Sequence, residues 1–467
     1  AEQIIGVMRE YAAKNVQLLC LPEFALTGYT CSDLFLQDTL LRGAEDGLAA
    51  ILKASEGLNV VVLVGLPVRH NGKLYNCAAV LCNGELLGLV PKVHLPNYGE
   101  FYEKRQFTPG STEVQTVTVC GQQVPFGTSL LFRCRQMPSF VLGVELCEDL
   151  WSALPPSTFH ALAGATVIAN LSASDETVGK AEYRRALVAN QSARLLCGYL
   201  YASAGHGEST TDMVFAGHDL IAEDGSILAE TAPFAGDHAE TELDCQRMEA
   251  ERARNTSFEP STEGYQTVEF DLTLTDTVLT RWVDPTPFIP HNEQLRAERC
   301  ELILKMQADG LAKRLEHAHA KTAVIGISGG LDSCLALLVA VRAMKQLHRP
   351  AADVLMFAHK YGEKFHLLTD PAEGVKDADV VVTAAWNTAP GTPESERRLR
   401  DFAGFQVTSR LMEGAKPDAM LLHCLPAHRG EEISTAVFEE HADEIFDEAE
   451  NRLHVQKAVL AILLAGL

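Results

Sequence analysis

The sequence predicts an α/β protein with more than one domain. Over roughly the first 230 residues, short apolar runs alternate with segments of helical periodicity. The runs are apolar at successive positions, which is typical of strands covered on both faces. A new strand–glycine–helix pattern follows the proline-rich segment DPTPFIP at 284–290. A chain of 467 residues is long enough for two or three domains.

The elements follow from these patterns in order. We predict an opening amphipathic helix, AEQIIGVMREYAAKNV, and two later ones, AEDGLAAILKAS and GKAEYRRALVANQSARLL. The predicted strands of this part are VQLLCLPEF, NVVVLVGLPV, CAAVLCNGELL, SFVLGVELC, ATVIANLSA and LLCGYLYASA. Beyond the proline-rich segment we predict a long helix over 291–318, the strand KTAVIGI, a glycine turn and another helix. After Pro350, DVLMFAHKYGEKFHLL, ADVVVT and AMLLHCLP are predicted as strands or strand ends.

The composition narrows the class of protein. A net charge of −23 argues against nucleic acid or anionic membrane as a partner. The twelve cysteines stand singly, which favours reduced thiols in a cytoplasmic protein over disulfides or a zinc site. The longest apolar stretch, near 58–68, is too short to span a bilayer, and the first residues lack a signal-peptide layout.

Cys147, in VELCEDLW, stands between acids at the end of an apolar run. A thiol attacks an amide carbonyl as a thiolate, which needs a nearby base or cation, and the resulting oxyanion needs a positive charge or N–H donors. Glu23, ending VQLLCLPE, is placed to accept the proton, and Lys92 to supply the cation. Each residue alone also has a structural explanation: the cysteine as part of a core, and the glutamate and the lysine as solvated residues at strand ends. The prediction rests on the three together.

These residues stand in blocks that resemble the nitrilase family of carbon–nitrogen hydrolases, and more closely the amidase domain of glutamine-dependent NAD synthetases. The blocks are LPEFALTGY, PKVHLPNYGEFYEKRQFTPG, GVELCEDLW, NLSASDETVGKAEYRR and YASAGHGESTTDMVFAGH. The resemblance implies an αββα sandwich and homo-oligomers. It makes Glu23 the general base, Lys92 the oxyanion-stabilising cation, Cys147 the nucleophile and Glu103 an additional acid. The residues it implies around the glutamine are Tyr29, Tyr98, Glu148, Ser174 and Arg184.

The family's domain begins with a strand and a glutamine-containing turn ahead of the first helix, whereas this sequence starts after them. We expect the missing strand to weaken folding, because its loss exposes neighbouring backbone.

The segment TAVIGISGGLDSCLALL, at 322–338, is predicted as a strand, a glycine turn and a helix whose N–H groups form an anion cradle. It is not a Walker A motif. SGGLDS resembles the loop of the PP-loop ATP pyrophosphatases, which include NAD synthetase. The resemblance implies ATP as a substrate, Mg²⁺ with ligands that the sequence does not reveal, and transfer of AMP to deamido-NAD. The residues that would hold the pyrophosphate are Ser328, Gly329, Gly330, Asp332 and Ser333.

From about residue 357 the chain resembles the ornithine-binding half of ornithine carbamoyltransferase. The matching segments are FHLLTDPAEGVKDADVVVT, FQVTSRLMEGAKPDAMLLHCLPAHRGEEIS and FDEAENRLHVQKAVLAILL. The resemblance makes His423, Cys424, Leu425 and Arg429 a remnant of the carbamoyl-phosphate and ornithine site. Ala384 replaces the ornithine-binding aspartate, and the STRTR-like arginines are missing. Half a site does not support carbamoyl transfer.

We therefore predict four regions: a nitrilase-like amidase domain over 1–260, a linker over 261–290, the start of a PP-loop domain over 291–355, and a carbamoyltransferase-like half-domain over 356–467. The predicted activity is glutamine hydrolysis, with the ammonia destined for ATP-dependent amidation of deamido-NAD in an incomplete synthetase domain. Two alternatives stay open: an ornithine carbamoyltransferase, and a non-catalytic nucleotide-binding protein.

Overall fold

The computed structural model describes residues 1–236, 238–321, 323, 325, 331–350, 368–386 and 392–465. The chain divides into two compact units, Ala1–Pro285 and Thr286–Leu467.

The first unit contains six helices and thirteen strands among its described residues. The helices are α1 (Glu2–Ala13), α2 (Asp38–Ser55), α3 (Glu148–Trp151), α4 (Pro156–Leu162), α5 (Lys180–Leu195) and α6 (Cys245–Arg254). The strands are β1 (Leu18–Cys20), β2 (Val61–His70), β3 (Lys73–Cys82), β4 (Glu85–Pro91), β5 (Gln115–Val119), β6 (Gln122–Phe126), β7 (Leu130–Cys134), β8 (Val141–Leu146), β9 (Val167–Ser172), β10 (Gly198–Ser203), β11 (Leu220–Glu223), β12 (Ser226–Glu230) and β13 (Gln266–Phe270). The order of elements confirms the predicted α/β class.

Two sheets face each other in this unit. One has the strand order β1-β2-β3-β4-β6-β5, and the other has the order β12-β11-β10-β9-β8-β7-β13. Alternate residues of β2 separate into two cores: Val61 and Leu63 pack between the sheets, whereas Val62 and Val64 pack towards α1 and α2. The period of two along a strand produces this division.

The outer face of the second sheet is covered by α4 and α5. Ile168 of β9 and Tyr199 of β10 form one buried cluster with Val188 of α5 and Ala161 of α4. Helices therefore cover the outer face of each sheet, which gives the αββα arrangement. It also explains why the strand sequences are apolar at successive positions.

Two parts of this unit differ from the prediction. CAAVLCNGELL, predicted as one strand, is a hairpin: β3 ends at Cys82 and β4 begins at Glu85. Asn83 and Gly84 have φ of 48° and 80°, as a tight Asn-Gly hairpin turn requires. Residues 261–290, predicted as a linker, contain β13, which pairs in parallel with β7 at the edge of the second sheet.

The second unit contains seven described helices and two strands. These are α7 (Glu293–His317), α8 (Leu331–Gln346), α9 (Pro371–Gly374), β14 (Val380–Thr383), α10 (Pro393–Asp401), α11 (Ser409–Met412), β15 (Met420–His423), α12 (Thr435–Glu440) and α13 (Ala442–Ala465). Helices α7 and α8 pack through small and apolar side chains such as Ala312 and Ala343. Strands β14 and β15 pair in parallel above a core that includes Ile433 and Ile445. Most of KTAVIGI and nearly all of 353–368, predicted as strands, lie outside the described residues.

All twelve cysteines are free thiols, and three of them are exposed: Cys300, Cys334 and Cys424. Among the described helices, none has both the length and the apolar character needed to cross a membrane.

Gly65 of β2 offers a test of how tightly the fold positions Glu23. A Cβ atom at Gly65 would lie 2.3 Å from the backbone nitrogen of Phe24 and 2.8 Å from the carbonyl oxygen of Pro22. We expect Gly65→Ala to displace this segment and to lower the unfolding free energy by about 1–3 kcal/mol. Gly43→Ala in α2 is the matched control, since nothing lies within 4 Å of that position, and it should stabilise by up to about 1 kcal/mol. Chemical denaturation measures both. Equal stabilities of the two variants would contradict the prediction.

Candidate active site

Cys147 lies at the turn between β8 and α3 in an unusual backbone conformation. Its φ is 40° and its ψ is −100°, a strained combination for a residue with a side chain. Its N–H donates to Asn170 Oδ1 and to the carbonyl oxygen of Leu171, each at 3.0 Å. These bonds from β9 hold the strained residue in place and occupy its N–H group.

A buried charge cluster stands beside this turn. Lys92 Nζ donates to Glu23 Oε1 at 2.8 Å and to Glu103 Oε1 at 2.6 Å, and the three side chains are at most 5% exposed. Glu23 Oε1 also accepts from Asn76 Nδ2 at 2.6 Å, and Glu23 Oε2 accepts from the N–H of Ala173 at 3.0 Å. The structure thus brings together three of the predicted residues, Glu23, Lys92 and Glu103.

The ammonium of Lys92 stays charged despite its burial. Burial alone would lower the pKa of Lys92, but Glu103 and Glu23 together raise it well above its ordinary value. The pKa of Glu103 is raised to about 7, because burial and the charge of Glu23 outweigh the opposing effect of Lys92. One buried cation therefore stabilises two buried carboxyl groups.

The thiol of Cys147 is near enough to this cluster for all three charged groups to affect it. Burial raises its pKa to about 12, Glu23 and Glu103 add to the rise, and Lys92 opposes it. Cys147 is therefore protonated in the resting protein at neutral pH. A reaction at its sulfur needs a base that removes the proton as the bond forms.

Two of the acidic residues around Cys147 are buried and accept hydrogen bonds from neighbouring protein groups. Asp149 accepts from the N–H groups of His94 at 2.7 Å and Leu146 at 3.1 Å, so it ties the segment after Lys92 to the end of β8. Glu145 accepts from the N–H of Ser157 at 2.8 Å and from the hydroxyl of Tyr199. These acids are part of the packing beneath the turn.

The third acid, Glu148, lies on the more open side and accepts from the hydroxyl of Tyr98 at 2.7 Å. Tyr98 is 60% exposed. These two predicted glutamine-pocket residues therefore meet at the rim of the site, where their polar groups are accessible.

Two other predicted glutamine-pocket residues bind protein groups. The hydroxyl of Tyr29 donates to Glu103 Oε1 at 2.7 Å, while its backbone N–H donates to Glu208 Oε2 at 2.8 Å. The buried guanidinium of Arg184 lies 2.9 Å from both Glu176 Oε2 and His218 Nδ1. Both side chains are therefore hydrogen-bonded to other protein groups around the site.

Ser174, the fifth predicted glutamine-pocket residue, is buried beside Arg184, with 3.4 Å between Ser174 Oγ and Arg184 Nη2.

Sequence reasoning missed three residues that hold the cluster: Asn76, Asp149 and Glu208. Asn76 had a signal, since it is a polar residue directly before the apolar run 77–82 of β3. Asp149 was noted only as a neighbour of Cys147, and its partners 55 and 56 positions earlier were not apparent. Glu208 reaches Tyr29 across 179 positions, and no local pattern indicates that contact.

The predicted phosphate loop is described only in part. Asp332 and Ser333 lie in the first turn of α8, whereas Ser328, Gly329 and Gly330 lie outside the described residues.

The carbamoyltransferase-like residues lie at the end of β15 and in the segment after it, and their side chains have different partners. His423 is fully buried, and its Nε2 lies 3.1 Å from Glu432 Oε1. Its Nδ1 accepts from the N–H of Leu425 at 3.0 Å, and Cys424 is exposed. Arg429 pairs with Glu439 at 2.7 Å and lies 4.4 Å from the centroid of the Phe438 ring.

The charge cluster predicts that removing the buried cation of Lys92 lowers stability far more than removing an exposed cation. Lys92→Met leaves the buried carboxyl groups of Glu23 and Glu103 without their cation, so we expect a loss of about 3–5 kcal/mol in unfolding free energy. The matched control is Arg105→Met, which breaks the exposed pair with Asp33 and should change stability little. Chemical denaturation of both variants provides the test. A Lys92→Met protein as stable as the control would show that the cluster does not depend on the cation.

Two families match the chain in different regions. The carbon–nitrogen hydrolase family matches residues 1–253. The Asp/Orn binding domain of the aspartate/ornithine carbamoyltransferases matches residues 334–463. Both predicted resemblances are confirmed by these matches.

The individual relatives are also of two kinds, NAD(+) synthetases and ornithine carbamoyltransferases. A glutamine-dependent NAD(+) synthetase of Mycobacterium bovis is 42% identical over 369 residues, which cover 77% of this chain and 54% of the relative. An ornithine carbamoyltransferase of Nitratiruptor is 53% identical over 111 residues, covering 24% of this chain and 36% of the relative. A solved glutamine-dependent NAD(+) synthetase from Cytophaga hutchinsonii is 23% identical with a TM-score of 0.46, covering 90% of this chain and 56% of that one.

The chain thus spans about half the length of the curated NAD(+) synthetases that it matches. More than half of its own residues match one family, and that region contains the charge cluster and Cys147. The chain belongs to the carbon–nitrogen hydrolase family.

Proposed function

We propose that this protein is a glutamine amidohydrolase whose first unit releases ammonia from glutamine. The observation that supports this most strongly is the buried Glu23–Lys92–Glu103 cluster beside the strained Cys147. It combines a nucleophile, a base and a cation, which are the three groups that cleavage of a primary amide needs.

The chemistry begins with the protonated thiol. As Sγ of Cys147 attacks the side-chain carbonyl carbon of glutamine, the carboxylate of Glu23 takes the thiol proton. The tetrahedral intermediate then collapses, the C–N bond breaks, and the nitrogen leaves as ammonia with the proton from Glu23. Water then attacks the thioester carbonyl carbon while Glu23 takes a proton from it. The C–S bond breaks, glutamate is released, and Glu23 returns the proton to the sulfur of Cys147.

Lys92 is the proposed oxyanion donor. An ammonium has three N–H donors, of which two bind Glu23 and Glu103 among the described residues. The N–H of Cys147 is bonded to Asn170 and Leu171 and does not supply this contact. We therefore propose the third donor of Lys92 and the N–H of Glu148 for the oxyanion.

Glutamine is proposed as the substrate on two grounds. The relatives at 42% identity are named as glutamine-dependent enzymes. In this chain, the accessible carboxylate of Glu148 and the hydroxyl of Tyr98 offer polar groups for the α-ammonium of an amino-acid substrate.

ATP, Mg²⁺ and deamido-NAD are proposed only by resemblance, as the reactants that the ammonia would meet in a complete synthetase domain. Asp332 and Ser333 stand at the start of α8, where a pyrophosphate is expected by resemblance. From residue 334 the chain matches the carbamoyltransferase family, whose members catalyse a different reaction. We propose that glutamine hydrolysis proceeds without ligation. The free thiols fit a reducing, cytoplasmic compartment, and the homo-oligomer stays a prediction.

A carbamoyltransferase activity is less well supported. Arg429 is engaged by Glu439 and Phe438, and the position of the ornithine-binding aspartate holds Ala384. Formation of citrulline from ornithine and carbamoyl phosphate would establish this alternative.

The proposed nucleophile predicts the result of one substitution. Cys147→Ala should abolish glutamate release from glutamine, because no other group of the cluster forms the thioester. The matched control is Cys197→Ala, which removes another buried thiol of the same unit and should keep the activity. Release of glutamate and ammonia is measured with and without ATP and deamido-NAD.

Each outcome of this experiment has a meaning. Turnover by a folded Cys147→Ala protein, or no turnover by the unaltered protein when it is folded, would contradict the amidohydrolase. Formation of NAD in step with glutamate release would contradict the proposed absence of ligation.

The high pKa of Cys147 predicts how its reactivity depends on pH. Glu23→Gln lacks the base and removes one cause of the raised pKa of Cys147, but burial, the largest cause, remains. Alkylation of Cys147 by iodoacetamide in this variant should therefore still rise about tenfold per pH unit between roughly pH 7 and 9, because the thiolate fraction grows in that proportion below the pKa. Mass spectrometry of the Cys147 peptide measures the rate, and the exposed Cys300 controls for loss of reagent. A rate that levels off near pH 7 would indicate a resting thiolate.

A further inference from the structure

A tight turn in the second unit gathers three potential metal ligands. The N–H of Glu431 donates to the carbonyl oxygen of His428 at 3.0 Å, and the N–H of Gly430 donates to that of Ile433 at 2.8 Å. Gly430 has a φ of 91°, which favours glycine at this position. The turn brings one ligand atom each of His428, Glu431 and Glu432 within 4.8 Å of one another.

Among the described residues, only one of the two carboxylate oxygens of Glu432 accepts hydrogen bonds. Its side chain is fully buried, and its Oε1 accepts from the backbone N–H of His428 and faces Nε2 of His423 at 3.1 Å. His423 Nδ1 accepts the N–H of Leu425, so the ring proton of the neutral imidazole lies on Nε2 and is donated to Glu432. Glu432 Oε2 has no hydrogen-bond partner among the described residues.

The unpartnered oxygen faces an unpartnered nitrogen. Glu432 Oε2 lies 3.8 Å from His428 Nδ1, and Nδ1 is likewise buried without a hydrogen-bond partner among the residues that the structure describes. The separation is too long for a direct hydrogen bond. Buried polar atoms without hydrogen-bond partners are rare in native structures, and an ion between these two atoms would satisfy both.

We propose that His428 Nδ1, Glu432 Oε2 and the carboxylate of Glu431 bind a divalent transition-metal cation of the Zn²⁺ class. An imidazole nitrogen with two carboxylate oxygens suits such cations, whereas Mg²⁺ and Ca²⁺ prefer oxygen ligands alone.

The surroundings resemble those of a built metal site. His423 donates to the carboxylate that would bind the metal, which fixes the orientation of Glu432 in the way that outer hydrogen bonds fix metal ligands. Three protein ligands leave a fourth position of a tetrahedral cation open to water or an anion. The cysteine spacing gave no indication of this site, because its ligands are a histidine and two glutamates.

The test is a titration of Zn²⁺ alone into the full chain with Cys147→Ala, which removes the buried thiol of the candidate active site. Equilibrium dialysis with metal analysis measures stoichiometry and affinity. We expect one tight equivalent, and a loss of affinity of about tenfold or more in His428→Ala and in Glu431→Gln. The matched control is Cys424→Ser, which removes the exposed thiol near this turn in the sequence and should leave the affinity unchanged.

Substitution of Co²⁺ for Zn²⁺ distinguishes the ligands independently of affinity. The bound Co²⁺ should show d–d bands without thiolate-to-metal charge transfer, and those bands should disappear in His428→Ala. Zn²⁺ affinity in the His428 and Glu431 variants equal to that of the parent protein, or a thiolate band that Cys424→Ser removes, would overturn the proposal. Thermal melts of every variant confirm that a lost site is not a lost fold, and Glu431→Gln decides the matter if His428→Ala does not fold.

Discussion

The ammonium of Lys92 is the interaction on which the candidate active site depends. Two carboxyl groups as buried as Glu23 and Glu103 would each lose ionisation without a cation, because burial opposes charge. Lys92 lies between them and donates to both, so the proposed base, Glu23, has the cation as a direct partner. We therefore expect both the fold and the proposed chemistry to depend on the same cation.

The backbone around this cluster is fixed by contacts that are distant in the sequence. Asn170 and Leu171 of β9 hold the N–H of Cys147, and Asp149 connects the end of β8 to the segment that follows Lys92. The relative positions of Cys147 and Lys92 are therefore set by hydrogen bonds at the ends of β8 and β9, and strands hold side chains more precisely than loops do.

The sequence predicted the parts of the site that have local signals. The α/β class follows from strands that are apolar at successive positions, and Glu23, Lys92 and Cys147 each stand at the end of such a run. The partners of Tyr29 and Arg184 were not predictable, because Glu208 and His218 approach them only through the fold. The hairpin at Asn83–Gly84 had an adequate local signal, and that error was one of reading the turn chemistry.

The distribution of the thiols has a consequence for oxidative damage. Oxidants attack cysteines according to their thiolate character and their exposure. Cys147 is 6% exposed with a pKa raised to about 12, whereas Cys300, Cys334 and Cys424, all in the second unit, are exposed. Peroxide would therefore oxidise these three thiols before Cys147. A dose of oxidant that had already modified the second unit would leave Cys147 of the first unit as a thiol.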